Sequence, residues 1–550
     1  MNPYGFFQHF SDLGASWMRD TPGFVSRVLE LNQDFLALNE KAVDLFFNDD
    51  GNGHNGGAPA ETALTELACK NGTTGNQYHQ TLKRWLKRLI IDAPSLTDRQ
   101  RKRTLFWADQ IINSLAPQNY FWSNPSAVKA LLDSHGKSLE NSYITWLAEI
   151  NQGQLFAPLV NRTAFSIGQN LAATPGNVVY RNSIMEVIQY APATSKTRER
   201  PIVLIQPLIN KYYIFDLSES NSFVRFLIQE GFTVFITSWK NPTAEMRNVS
   251  FEDYMIHGAL KAIMVACRVC RTERVHAAGY CIGGTLLAAL MAWLNYPEND
   301  SARIPVSDWT LFSALVDFSE PGPLMAFTEP AAVDFVEAVM AEKGFLDSRY
   351  LQTAFRMLKA EHLIWRPHVM AYLQGQPPPV SDVLYWNSDG TRLTEALGSF
   401  LLRTLYQENR LIEKNGLSLA KRPIDLKKIS QPLYVVGAKQ DHICPWESTF
   451  AICGQVKVPV RYVLASEGHI TGIVNPPVAK SKKKFKTNDA SGRRDPQKWL
   501  LEQDIIRASW WEDWSKWLSE RGGPMVNPPV AGGGVYRPLE KAPGSYVHAS

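Results

Sequence analysis

Three residues far apart in the chain carry side chains that together could perform acyl chemistry: Cys281, Asp441 and His469. Cys281 stands inside Gly279-Tyr280-Cys281-Ile282-Gly283-Gly284, a G-x-C-x-G pattern. With serine at its centre this pattern marks a nucleophile elbow, where a strand turns sharply into a helix. A thiol at such a bend is activated by the helix N-terminus and by a neighbouring imidazole, both of which stabilise the thiolate. The glycines suit a turn in which backbone segments approach too closely for a Cβ. Folds built on this elbow take the acid, and then the histidine, from loops after later strands. Asp441 follows the apolar stretch LYVVGA in KQDHICPW, and His469 follows RYVLA in SEGHITGIVNPP. Residue types, order and context therefore agree on a Cys-His-Asp triad.

Supporting groups follow from the same reading. The N–H of Ile282 is expected to face a developing oxyanion, with a second donor from the loop QPLIN, at Ile209. His442 adjoins Asp441, and as a neighbour on an extended loop it is expected to support by hydrogen bonding rather than serve as a second base. The other histidines (His9, His54, His79, His135, His257, His276, His362, His368 and His548) form no cluster that suggests a metal. Cys267 and Cys270 make a lone C-x-x-C without a second pair at zinc-like spacing, which reads as helix packing. Cysteine instead of serine bears on the reaction. A thiolate exchanges with a thioester to give an acyl-cysteine of similar energy, so the acyl group stays activated for transfer; this favours transfer over hydrolysis.

The elements that must position these groups are legible as alternation. SIMEVIQYA, RPIVLIQPLIN, FTVFITSWKNP, RVHAAGYC and DWTLFSALVDF read as strands. Between them SFVRFLIQEG, FEDYMIHGALKAIMVACRVC and IGGTLLAALMAWLNYP read as helices. Such alternation predicts an α/β fold, a parallel sheet with helices on both faces. From Ser319 to about Asp425 the chain is helical and Pro-punctuated, as expected of a cap over the carboxyl-end crevice of the sheet. Strands resume with QPLYVVGAKQDH and VRYVLASEGH, and the Trp-rich helix SWWEDWSKWLSERGG follows. The chain before about Ala193 is helical in character. Tyr78–Ile90 places Leu82, Trp85, Leu86, Leu89 and Ile90 on one face, Asp98–Leu115 is a second amphipathic helix, and Asn48–Glu61 is a Gly/Asn-rich linker. The expected organisation is a helical domain over residues 1–193, a catalytic domain over 194–522 with a cap at 319–425, and a tail from 523 to 550.

Bulk composition excludes several classes. At 550 residues, with 45% hydrophobic and 20% charged residues, the chain is an ordinary globular protein of more than one small domain. A net charge of +4 implies little by itself about nucleic acid, and no nucleic-acid partner is expected. The one basic run, AKSKKKFK (Ala479–Lys486), reads as a solvated loop, with a landing site for a phosphate-bearing ligand as the alternative. Six irregularly spaced cysteines give no disulfide framework. No secretory leader opens the chain, and stretches such as LLAALMAWL fall far short of the roughly 20 residues that span a bilayer. A reduced, cytoplasmic protein is expected.

Taken together, GYCIGGTLLA, INKYYIFDL, SWKNP, LVDFSEPG, YWNSDGT, DHICPW, GHITGIVNPP, SWWEDWSKWL and the closing APGSYVH resemble the polyhydroxyalkanoate synthases. The resemblance runs from about Asn113 to the C-terminus, and the first hundred or so residues match poorly. It implies an α/β-hydrolase fold with a helical cap insertion, preceded by a mainly helical N-terminal domain. It implies polymerisation of (R)-3-hydroxyacyl-CoA into polyester with Cys281 as nucleophile, Asp441 as acid and His469 as base. The long N-terminal region and the Tyr before the cysteine resemble the homomeric type that takes short-chain monomers such as 3-hydroxybutyryl-CoA. No cofactor is implied, CoA being a released product. A homodimer on cytoplasmic granules, touching the granule surface and the growing chain, is implied by resemblance alone. Trp386 and Asn387 in YWNSDGT are candidates near a cap opening, with core packing as the alternative. Two other functions compete: a cysteine-dependent thioesterase or esterase of the same fold, and a non-catalytic granule-associated subunit, which would be marked by a broken triad.

Overall fold

The computed structural model describes residues 6–43, 60–296, 304–477 and 483–549. They form two compact units, Met1–Asn161 with Thr353–Ser381, and Arg162–Gln352 with Asp382–Ser550. The expected linker lies outside the described residues as far as Pro59, and the basic run is described only from Lys483.

The N-terminal part of the first unit carries six α-helices among its described residues: α1 (Phe6–Met18), α2 (Thr21–Val43), α3 (Ala60–Ile91), α4 (Asp98–Ser114), α5 (Pro125–Asp133) and α6 (Lys137–Asn151). The predicted apolar stripe of Tyr78–Ile90 is the last part of α3. Leu89 and Ile90 are buried with Leu13 and Trp17 of α1 and Ala108 of α4, and Trp85 and Leu86 pack against them. Thr97 opens α4 with a capping box in which its hydroxyl and the Gln100 side chain satisfy each other's backbone N–H. The returning segment joins this unit through polar ties. Arg356 donates to the Ala157 carbonyl at 3.0 Å, and Gln110 donates to that of Met357 at 3.1 Å.

The second unit is organised by a ten-stranded sheet. In chain order its strands are β1 (Gly176–Arg181), β2 (Met185–Tyr190), β3 (Ile202–Ile205), β4 (Val234–Trp239), β5 (Val275–Tyr280), β6 (Val306–Phe312), β7 (Leu433–Ala438), β8 (Val460–Ala465), β9 (Phe485–Asp489) and β10 (Glu540–Lys541). They lie in the order β9-β8-β7-β6-β5-β3-β4-β2-β1-β10. The six strands from β8 to β4 are parallel, and the rest add antiparallel edges. β3, β4, β5 and β7 are buried at every residue, which explains why they read as continuous apolar runs. After β3 the chain places β4 on one side and β5 on the other, so strand order reverses there. Such a switch point opens a crevice at the carboxyl ends of the strands.

Three parts of the chain fall differently from the sequence expectation. β1 and β2 precede residue 194 yet belong to the sheet, because the short turn between them closes a hairpin whose second strand pairs with β4. The segment 319–425 is not one body, since Thr353–Ser381 clusters with the N-terminal helices. Beyond residue 523, Met525–Val526 pairs with Thr197–Arg198 and β10 pairs with β1, so this stretch is knitted into the second unit.

Candidate active site

Cys281 follows β5 directly and caps α9 (Ile282–Leu294), which the α-helices α7 (Phe223–Gln229) and α8 (Lys261–Cys270) precede in the chain. Its backbone sits at φ 53°, ψ −127°, a conformation that non-glycine residues rarely adopt. Strain of this kind costs about 1–3 kcal/mol and persists only where surrounding structure enforces it. The enforcement is visible. The Cys281 N–H donates to the Phe312 carbonyl at 2.9 Å, and its own carbonyl accepts from Gly284 at 2.9 Å and Thr285 at 3.1 Å. A Cβ on Gly279 would stand 2.6 Å from the Gly283 carbonyl oxygen and from the Gly284 Cα. On Gly283 it would meet the carbonyls of Gln206 and Ile205 at the end of β3, and on Gly284 it would come within 2.5 Å of the Ala314 Cβ. The elbow glycines are thus required by close approach. Gly283→Ala presses a methyl into backbone that cannot yield, and we expect a loss of roughly 3 kcal/mol or more. A urea midpoint unchanged from wild type would contradict this.

The partners arrive from the carboxyl ends of β7 and β8, whose last residues, Ala438 and Ala465, are in register. Asp441 accepts the N–H groups of Ile443 and Cys444 on Oδ1, both at 2.8 Å, and its Oδ2 lies 2.7 Å from His469 Nδ1. His469 is fixed on every side. Its ring stacks on Tyr280 with centroids 5.2 Å apart, and its carbonyl accepts from the Tyr280 hydroxyl at 3.1 Å. The Trp-rich helix α10 (Trp510–Ser519) clamps the same loop. The indole N–H of Trp510 donates to Gly472 at 2.7 Å and that of Trp511 to Ile473 at 2.9 Å, while Trp514 reaches Thr310 on β6 at 3.0 Å. All three tryptophans are buried with their N–H groups satisfied, the usual condition for burying an indole.

The structure therefore brings Cys281, His469 and Asp441 together, and adds a residue that sequence reasoning missed. Sγ of Cys281, Sγ of Cys444 and a ring nitrogen of His469 all lie within 4.8 Å of one another, and all three residues are buried. Because Nδ1 faces Asp441, the nitrogen turned to the thiols is Nε2. Cys444 was visible in DHICPW only as a cysteine three residues after the acid. No periodicity says that the two backbone bonds to Asp441 curl the loop and return the thiol to the elbow.

Electrostatics follow from these contacts. The hydrogen bond from the Cys444 thiol, with the charge and hydrogen bond of His469 and the N–H of Ile282, outweighs burial and holds the Cys281 thiol well below its ordinary value. The Cys444 thiol is pushed far up by that same bond and by burial. Burial opposes a charged His469, yet Asp441 and Cys281 together raise it well above the imidazole range. Burial likewise opposes charge on Asp441, and His469 with the two backbone donors keeps its carboxyl below the usual carboxylate range. The lowered Cys281 and the raised His469 both favour a thiolate paired with an imidazolium. Iodoacetamide should alkylate Cys281 at an undiminished rate well below about pH 8.5, where a free thiol titrates, and lose rate only as pH falls through the lowered Cys281 value. A profile at Cys281 centred near about 8.5, read by peptide mass spectrometry, would remove the ion pair.

The remaining expected residues occupy varied places. Ile282 directs its N–H at the Cys281 sulfur. Ile209 is buried on the loop leaving β3, where its carbonyl accepts from Thr391 at 3.0 Å. His442 is half-buried beside Asp441. Trp386 is buried and donates to the Lys211 carbonyl at 2.7 Å, and Tyr213 donates to Asp389 at 2.7 Å, so the motifs INKYYIFDL and YWNSDGT meet; Asn387 between them is half-buried. From the inserted segment, Tyr406 comes near the thiols, burial and the charges of Cys444 and Cys281 pushing its phenol far up. A second buried pair, His276 Nδ1 with Asp308 Oδ1 at 2.6 Å, sits at the start of β5, the end of that strand opposite Cys281.

A parallel sheet that reverses at β3, with its one strained cysteine at the end of the next strand over, is the α/β-hydrolase fold carrying a thiol at the elbow. Comparison with known proteins narrows this. A family profile described as the N-terminus of poly-beta-hydroxybutyrate polymerase (PhaC) matches residues 71–227. Poly(3-hydroxyalkanoate) polymerase subunit PhaC of Cupriavidus necator is 35% identical over 468 residues, 84% of this chain and 78% of its own length. Poly(3-hydroxyalkanoate) polymerase of Methylorubrum extorquens is 36% identical over 475 residues, covering 86% and 77%. The PhaC subunit of Rhizobium meliloti is 37% identical over 466 residues, covering 84% and 75%. The chain belongs to the poly(3-hydroxyalkanoate) polymerase family.

Proposed function

We propose that this protein polymerises (R)-3-hydroxyacyl-CoA, of short chain length such as 3-hydroxybutyryl-CoA, into polyhydroxyalkanoate with release of CoA. The observation that carries the reading is the buried grouping of Cys281, His469 and Asp441 at the elbow of a chain whose relatives are named poly(3-hydroxyalkanoate) polymerases. The Cys281 thiolate attacks the thioester carbonyl, and the oxyanion is met by the N–H of Ile282 and a donor at Ile209. CoA departs as a thiolate and takes the proton of His469. Acylation has removed the negative sulfur that sustained the imidazolium, so His469 gives up that proton readily and is left neutral. It then takes the proton of a hydroxyl, from monomer or growing chain, as that oxygen attacks the acyl-cysteine. Expulsion of the Cys281 thiolate restores the ion pair. The proposed cycle uses side chains and backbone N–H groups of this protein and no cofactor, and CoA leaves as product. Both oxygens of Asp441 are engaged, one by two backbone N–H groups and one by His469, which favours an orienting role over direct action on the hydroxyl.

Among the described residues no helix is long and apolar enough to cross a membrane. A cytoplasmic homodimer seated on granules is part of the proposal. Val25, Leu29 and Leu36 of α2 lie exposed, and such apolar side chains suit a polyester surface. The test is direct. Pure protein given 3-hydroxybutyryl-CoA should release CoA and deposit insoluble polyester; free 3-hydroxybutyrate in its place would identify a thioesterase, and no CoA release a non-catalytic subunit.

A further inference from the structure

We propose that Cys281, Cys444 and His469 also form a binding site for a thiophilic divalent cation, Zn²⁺ or Co²⁺, which competes with acyl-CoA and shuts the enzyme. The three donor atoms already lie within 4.8 Å of one another. Zinc takes thiolate sulfur at about 2.3 Å and imidazole nitrogen at about 2.0–2.1 Å, so two sulfurs and a nitrogen on a tetrahedral ion stand roughly 3.5–3.8 Å apart. Small side-chain rotations close that difference. Two thiolates and an imidazole with one open position is a known zinc ligand set. The site also carries what bare clusters lack. Asp441 holds His469 Nδ1 at 2.7 Å and leaves Nε2 to face the sulfurs, the carboxylate–histidine arrangement that orients imidazoles in zinc sites. Asp441 is in turn fixed by two backbone N–H groups. Binding balances simply: the cation enters, one proton leaves the Cys444 thiol, one leaves the His469 imidazolium, and no electron moves. The Cys281 sulfur, engaged by the metal, no longer attacks the thioester.

The claim stands on the placement of three side chains, so it can fail while the polymerase reading survives, and the reverse. Full-length protein, reduced and anaerobic, is titrated with Co²⁺ and watched in the visible and near ultraviolet. One equivalent should bring tetrahedral d–d bands with thiolate-to-cobalt charge transfer. Zn²⁺ should displace Co²⁺, and its inhibition of CoA release should be competitive with acyl-CoA and reversed by a chelator. Cys444→Ser and Cys444→Ala should each lose the charge-transfer band or weaken binding more than tenfold, inhibition being judged against each variant's own metal-free rate. Asp441→Asn should weaken binding by about 10- to 100-fold. Cys267→Ala, in the separate C-x-x-C, should bind as wild type does. X-ray absorption of the zinc-loaded wild type should show two sulfur neighbours and at least one nitrogen, a measurement that needs no variant to fold. Undiminished cobalt bands in both Cys444 variants, a metal shell without sulfur, or inhibition reversed by dithiothreitol but not by a chelator would each overturn the proposal.

Discussion

Cys281→Ala should release CoA about 10⁶-fold more slowly than wild type, the scale on which removal of a triad nucleophile acts. The bend is held by the glycines and by the bonds of the Cys281 backbone, none of which needs the thiol, so the variant keeps its fold. What it loses is the only sulfur at the elbow that the N–H of Ile282 addresses. Cys444 is nearby, yet it comes from the loop after β7, and with the Cys281 thiol gone burial still opposes its ionisation. A double variant lacking both sulfurs shows whether any residual rate belongs to Cys444. Cys281→Ser discriminates further. A hydroxyl ionises far above the thiol range, so His469 meets no anion, and any acyl-serine that forms is an oxyester, lower in energy than the thioester it came from. Weak acylation without chain growth is expected. CoA release by Cys281→Ala within a hundredfold of wild type would dismiss the acyl-cysteine route.

How far the sequence spoke can be judged at particular residues. The strands were legible because burial on both faces makes them apolar runs, and the elbow because sterics admit only glycine at Gly279 and Gly283. Asp441 and His469 were legible because a site at the carboxyl edge of a parallel sheet draws on the residues that end its strands. Side-chain direction was not. The return of Cys444 depends on two backbone bonds to Asp441, and the stacking of Tyr280 on His469 depends on β5 and β8 ending at the same edge. The tryptophans of α10 read as a helix, but the carbonyls they seek, Gly472 and Ile473, are a tertiary matter. The division of 319–425 between two units was hidden for a similar reason, since helical periodicity states that a face is buried and not what buries it. Likewise the boundary at 193 enclosed β1 and β2, although SIMEVIQYA reads as a strand, because the sequence does not say that the second strand of this hairpin pairs with β4.

The second large effect is expected at Asp441. Asp441→Asn should lower turnover about 10⁴-fold while leaving the fold intact, and the geometry says why so small a change costs so much. Oδ1 accepts two backbone N–H groups, from Ile443 and Cys444, so the asparagine must keep its oxygen there. Its amide nitrogen then occupies the place of Oδ2, which lies 2.7 Å from His469 Nδ1. Two donors cannot share that contact, so His469 places its proton on Nε2 and offers Nδ1 as acceptor. Nε2–H now faces the sulfurs, and in the neutral ring nothing remains to take a proton from the incoming hydroxyl. The carboxylate that helps keep the imidazolium charged is gone as well. The ion pair weakens, and alkylation of Cys281 should move up in pH toward about 8.5 in this variant. That shift separates an electrostatic role from a structural one, because a merely loosened loop would slow the reaction without moving the thiol. Asp441→Asn with turnover within tenfold of wild type and an unmoved alkylation profile would show that the carboxylate neither sets the tautomer nor sustains the charge.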